Sequence, residues 1–403
     1  RGGVIYDDHS GKIKAGQKNL PPDFPKKQVT DAEDSWLVPG GIDAHVHLGG
    51  FCEIKIEDDF YTGSLGALAG GTTTVIDFCE SEKGESPAHC IEKRMQEASV
   101  SAVDYAFHFV ITRDYERQLQ ELQTILDYGI TDFKLFTVYD NTDLTMPEIE
   151  HVIRELCRKI SDKKKMTFLV HAEEKEIIEN LKKDVKNPSE MSMLAFTRPD
   201  ISEQKAVEQL QKIAQKTGVN LCIAHTSAGA TVALQPEQRQ AYEHTEGFLL
   251  ETCPHYLEFT DEKLKGEQGA LYTMTPPLRK QKDTDLLWEG IQTRMLYLFS
   301  EGVKKRGLSM KRFVELTSEN AARFYHRYPQ KGCIQPGSDA DLVLITEKEN
   351  TKIHVENRKS NLDYTIYEGK QLEGKIQIVI KSGQTVYKNG KLNAEKGSGK
   401  YLV

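Results

Sequence analysis

Leu37-Val38-Pro39-Gly40-Gly41-Ile42-Asp43-Ala44-His45-Val46-His47-Leu48 reads as a turn, a short apolar run and two histidines one residue apart. On a β-strand alternate side chains face the same way, so His45 and His47 would project together from one face, with Val46 on the other. Such a pair chelates. Neutral imidazole is the commonest protein ligand for zinc-like metals, and two nitrogens held by one strand need little further ordering when a metal arrives. A His-x-His also arises by chance, so the weight falls on what the rest of the chain supplies.

Outward from this stretch, strands alternate with helices. Strand patterns stand at Thr73–Phe78, Ala106–Val110, Phe133–Phe136, Thr167–His171, Leu221–His225 and Gly247–Glu251, and helical patterns at Tyr115–Tyr128, Met146–Ile160 and Ser202–Thr217. Repeated strand-helix units predict an α/β fold with a parallel sheet, and their number favours a closed (β/α)8 TIM-like barrel over an open doubly wound sheet. No GxGxxG follows the first strand, which removes the usual dinucleotide reading. Residues 1–38 hold one clear strand, Val4-Ile5-Tyr6, and too little apolar material for a core of their own. Strand-like runs at Asp341–Ile345, Ile376–Ile380 and Thr385–Tyr387, the last closed by an Asn389-Gly390 turn, offer partners. Both chain ends are therefore expected to build one small β-sandwich from residues 1–38 and 336–403, flanking a barrel over 39–335.

The 403-residue chain has 53 basic and 61 acidic residues, a net charge of -8, spread without blocks. A nucleic-acid surface needs a concentrated basic patch to displace phosphate counterions, and none is visible. No apolar run approaches the roughly 20 residues that span a bilayer, and no signal peptide opens the chain, so a soluble, cytoplasmic protein is expected. The chain opens on Arg1 rather than Met and is expected to be a trimmed fragment. Its seven cysteines lack CxxC spacing, and an odd number cannot all pair internally, which suits reduced thiols.

Barrel enzymes carry their chemistry at the C-terminal ends of the strands. His171 ends one predicted strand and is followed by Ala172-Glu173; His225 ends another and is followed by Thr226-Ser227. Each alone reads either as a hydrogen-bonded core histidine or as a ligand. Lys134, within Phe133-Lys134-Leu135-Phe136, is stranger, because a charged unpaired ammonium in an apolar strand would cost roughly several kcal/mol. Either its side chain snorkels to the rim, or a neutral amine takes up carbon dioxide to form a carbamate, an anionic oxygen ligand able to bridge two metals.

These tracts, with Gly70-Gly71-Thr72-Thr73-Thr74, Glu251-Thr252-Cys253-Pro254-His255-Tyr256 and Ser338-Asp339-Ala340-Asp341-Leu342, resemble the cyclic amidohydrolases over nearly the whole chain. Thr275-Pro276-Pro277-Leu278-Arg279, Leu316–Arg323 and Asn361–Gly369 resemble most the hydantoinase and dihydropyrimidinase branch. The resemblance implies two divalent metals, zinc by preference. His45 and His47 would ligate one, His171 and His225 the other, and N6-carboxylated Lys134 would bridge them. Two ions sharing a hydroxide would lower its pKa, supplying a nucleophile at neutral pH and polarising the amide carbonyl. Tyr139 matches a tyrosine that donates to the developing oxyanion, and Thr275 a serine position whose backbone meets the ring amide. Glu173 reads as a capping group or as support for a ligand, and His255 as structural.

The implied activity is hydrolytic ring opening of a hydantoin or 5,6-dihydropyrimidine to an N-carbamoyl amino acid, by a homodimer or homotetramer. Allantoinase is the nearest alternative. Dihydroorotases usually follow His-x-His-Leu with an arginine for the substrate carboxylate, and Gly49 stands there instead. Collapsin response mediators share the fold as non-enzymatic scaffolds but have lost most metal-binding residues, whereas four histidines and a lysine stand here. One group departs from the pattern. The family's general acid/base aspartate, in a Ser/Thr-Asp-His-Ala/Cys tract, belongs between Leu287–Ile291 and Gln292–Tyr297, which abut. A barrel without its closing strand would expose two sheet edges, so the full polypeptide is expected to carry a segment absent here. An intact mass equal to that of the 403-residue chain would contradict this.

Overall fold

The computed structural model describes residues 3–17, 29–32, 34–51, 54–160, 165–233, 247–290 and 295–403. It forms two compact units. One comprises Arg1–Asp77, Arg94–Ala106 and Arg294–Leu402; the other comprises Phe78–Lys93, Phe107–Thr293 and Val403. Among the described residues no helix is long and apolar enough to cross a membrane. The junction of Ile291 with Gln292, where a segment is expected to be missing, lies outside the described residues.

In the first unit the two chain ends do pair. Trp36–Pro39 runs antiparallel to Leu342–Lys352, which pairs with Gln371–Lys381 and, through it, with Gln384–Lys388 and Lys391–Leu392. A hairpin of Gly3–Asp7 and Lys12–Gln17 lies over this sheet. Its Ile13 joins Leu342, Leu344, Ile378 and Ile380 in one apolar cluster, with Val4 and Tyr6 packed against it. This is the two-layered packing that lets a thin N-terminal segment share a core it cannot build alone.

The opening stretch behaves differently from its reading. The chain leaves the antiparallel sheet at Pro39 and enters a second, short strand, Gly41–Asp43, parallel to Thr72–Cys79. Gly40 makes this switch possible, since a Cβ there would collide with the Thr73 side chain. The strand then stops at Asp43, and His45 and His47 lie on the segment after it rather than on a strand. Strand alternation therefore does not orient them, which corrects the geometry drawn from the sequence.

The second unit holds a parallel ladder. Phe107–Val110 pairs with Asp132–Phe136, which pairs with Thr167–His171, then Asn220–Ile223, then Phe248–Leu250. The three middle strands are buried along their whole length, as expected of parallel strands covered on both faces. Met146–Lys159 is one helix, opened by a reciprocal Thr145/Glu148 capping box and burying Ile149, Val152, Ile153 and Leu156 on one face. Asp200–Thr217 is another, ended by Gly218 at φ 72°. The predicted helix Tyr115–Tyr128 is instead two, Tyr115–Gln120 and Leu122–Asp127, interrupted at Glu121.

Candidate active site

The second unit gathers its chemistry at the C-terminal ends of these strands. His171 is the last residue of Thr167–His171, Tyr139 follows the end of Asp132–Phe136 by three residues, and His225 follows Asn220–Ile223 by two. Tyr139 and His225 both have positive φ, 88° and 37°. Non-glycine residues adopt that region only when their surroundings over-determine it, and such strain collects at functional sites.

His171 is 1% exposed, and its two ring nitrogens have different partners. Nε2 stands 2.7 Å from a Glu173 oxygen, and Nδ1 stands 3.1 Å from Nε2 of His225. A carboxylate can only accept, so Glu173 fixes the proton on Nε2 and leaves the Nδ1 lone pair facing His225. Burial lowers the His171 pKa to about 4 against the opposing pull of Glu173, so the ring is neutral at pH 7. Burial would raise the pKa of Glu173, but its His171 hydrogen bond and Arg198 hold it below the ordinary carboxylate value. A neutral ring whose second nitrogen is anchored by a carboxylate is the usual state of a metal-ligating histidine. Two nitrogens each about 2.0–2.1 Å from a zinc-like ion, at angles of roughly 90–110°, lie about 2.9–3.4 Å apart, so the 3.1 Å His171/His225 spacing fits one ion.

Tyr139 packs edge-on to His171, with ring centroids 4.9 Å apart, and its hydroxyl stands 2.6 Å from Oγ1 of Thr275. Burial pushes its phenol above the usual range, so it keeps its proton and remains a donor. Thr275 thus reaches Tyr139 through its hydroxyl, a contact not anticipated from the sequence. Lys134 is third of five residues in its strand and 1% exposed, with Nζ 4.8 Å from the Phe136 ring centroid and 5.5 Å from that of Phe78. The snorkelling alternative falls, because the side chain stays inside. His255 packs on Tyr256 at 4.3 Å, consistent with a structural role.

Arg198, Arg279 and Glu203 belong to the same region, and no sequence motif singles them out as site residues. Arg198 donates to Glu173 and lies 5.3 Å over the Tyr139 ring; Arg279 donates to the Arg198 carbonyl and to Ser227 Oγ. Glu203 accepts from the Ser227 and Ala228 amides and from the Ser227 and Thr231 hydroxyls, bracing the segment that follows His225.

In the first unit His45 and His47 lie edge to face with centroids 5.4 Å apart, close to the 4.7 Å of His171 and His225. Among the described residues no three or more His, Cys, Asp and Glu side chains converge at metal-binding distances. The candidate donors come as histidine pairs, and a lysine would complete them only as an oxygen ligand.

Three comparisons bear on this arrangement. The Amidohydrolase family model matches residues 36–287 and 281–386. D-hydantoinase of Geobacillus stearothermophilus is 30% identical over 441 residues, covering 97% of this chain and 91% of that protein. D-phenylhydantoinase of Escherichia coli strain K12 is 29% identical over 443, covering 98% and 93%. The crystal structure of dihydropyrimidinase from Brevibacillus agri NCHU1002 matches with a TM-score of 0.91 at 29% identity, covering 100% of this chain and 95% of that one. Histidines at strand ends, an anchored imidazole and a match running from residue 36 to residue 386 lead to one conclusion: the chain belongs to the amidohydrolase family.

Proposed function

We propose that this enzyme opens a cyclic amide by hydrolysis, taking a hydantoin or 5,6-dihydropyrimidine ring to the N-carbamoyl amino acid. The observation that carries the reading is the His171 ring, held neutral and anchored by Glu173, with its second nitrogen turned to His225 and Tyr139 beside it. His171 and His225 would hold one divalent ion and His45 and His47 another, zinc by preference, with Lys134 as an N6-carbamate supplying the bridging oxygens. Such a pair of ions supplies an activated water and polarises the carbonyl.

The chain's own residues do the rest. Glu173 and Arg198 set the tautomer and orientation of His171. Tyr139, kept protonated by burial and oriented by Thr275, donates to the carbonyl oxygen as negative charge develops there. An eight-stranded barrel would span residues 39–335, with small-domain segments at 1–38 and 336–403, and the enzyme would work as a cytoplasmic homodimer or homotetramer.

Lys134 gives the test. An ammonium beside two divalent cations would be repelled by both, while a carbamate, formed from carbon dioxide and the neutral amine, attracts them. Metal reloading of stripped protein should be faster and more complete with added bicarbonate and slower as pH falls. Lys134→Ala should lose the metal pair and regain part of it with short carboxylic acids. Electron density showing an unmodified Lys134 in a fully metallated and active protein would refute the carbamate.

A further inference from the structure

His45 and His47 raise a problem of order, because the strand that should hold them ends at Asp43. A ligand pair on irregular chain needs its backbone fixed by something other than a sheet ladder. That support comes from a buried ion pair. Asp77, 0% exposed, accepts the Leu48 amide at 2.9 Å and an Arg94 nitrogen at 2.6 Å. The same Arg94 nitrogen donates to the Leu48 carbonyl at 2.8 Å. Both backbone groups of the residue immediately after His47 are thus held by one side-chain pair. Upstream, the Val46 amide donates to the Ile76 carbonyl at 3.3 Å. The guanidinium lies 4.6 Å over the Phe60 ring, and its other terminal nitrogen bonds Glu97 at 2.6 Å.

We infer that Asp77 and Arg94 are positioning residues that hold the His45-Val46-His47 backbone for metal ligation; the inference rests on the reading of those histidines as ligands. Arg94 lies beside Gly49, where a Cβ would come 4.0 Å from its Nη1, but its terminal nitrogens are committed to protein partners. It therefore supports the chain and does not stand in for a carboxylate-binding arginine. Lysine would keep the charge but ends one bond short of the arginine nitrogen that reaches Asp77 and the Leu48 carbonyl together.

The test compares metal release to a chromogenic chelator in wild-type protein, Arg94→Lys, Asp77→Asn and Glu97→Gln, with amide exchange at Leu48 in the metal-free proteins. The expectation is two ions per wild-type chain. Arg94→Lys and Asp77→Asn should release one of them about 10–100-fold faster while holding the other as before, with Leu48 exchange accelerated. Glu97→Gln should behave as wild type. Accelerated Leu48 exchange with unchanged release of both ions would overturn the inference. So would equal loss of both ions together with a drop in melting temperature, or failure of both variants to fold, since either makes the pair merely structural. A wild-type chain that binds no metal would instead overturn the ligand reading itself.

Discussion

Tyr139 is the residue on which rate and stability separate most cleanly. Its ring packs against Phe136 and His171, while its hydroxyl meets Thr275 and Arg198. Tyr139→Phe keeps the packing and removes the donor. Turnover should fall on the order of 100 to 1,000-fold with little change in melting temperature; an unchanged rate with an altered melting temperature would make Tyr139 a packing residue. At this scale the sequence is legible where a polar side chain interrupts or ends an apolar run, as Lys134 and His171 do. It is not legible for Arg198 and Arg279. Their partners, Glu173 for one and the Arg198 carbonyl for the other, are 25 and 81 residues away. Nothing in local spacing encodes those distances.

Elements show what spacing can and cannot carry. The parallel strands are legible because burial on both faces demands runs that are apolar almost throughout, and Phe133–Phe136, interrupted at Lys134, and Thr167–His171, ended by His171, still show them. Leu37–His47 misleads for the same reason. Its pattern continues past Asp43, where the strand stops, so His45 and His47 read as strand residues. The helix Asp200–Thr217 illustrates a role that amphipathic pattern hides. Its Glu203, 1% exposed, faces inward to accept two amides and two hydroxyls from the turn after His225. Glu203→Ala would strand those donors together with Arg279, 3.7 Å away. It should lower unfolding free energy by at least about 3 kcal/mol, since buried polar groups left unsatisfied cost about 1–3 kcal/mol each. Urea denaturation measures this, and a loss below about 1 kcal/mol would show that the bonds contribute little.

For the whole molecule, the imidazoles of depressed pKa predict how stability follows pH. Desolvation lowers His255 to about 4, well below the usual 6.5. Its folded pKa is depressed, so the unfolded chain binds the extra proton first. The contribution is fully present above about pH 6.5 and is lost as pH falls toward 4. One proton changes the slope by at most about 1.4 kcal/mol per pH unit. In urea titrations from pH 7 to 4.5, His255→Asn should give the flatter curve; parallel curves would contradict the assignment. His171 is depressed in the same range, so the difference between variants, not the wild-type slope, isolates His255. The central claim, cyclic-amide hydrolysis, is tested most directly by following ring opening of hydantoin, 5,6-dihydrouracil, allantoin and dihydroorotate by protein loaded with divalent metal in the presence of bicarbonate. The account predicts N-carbamoyl products from hydantoin or dihydrouracil, abolished by a chelator, and none from dihydroorotate. Metal-loaded protein that leaves both hydantoin and dihydrouracil intact would contradict it.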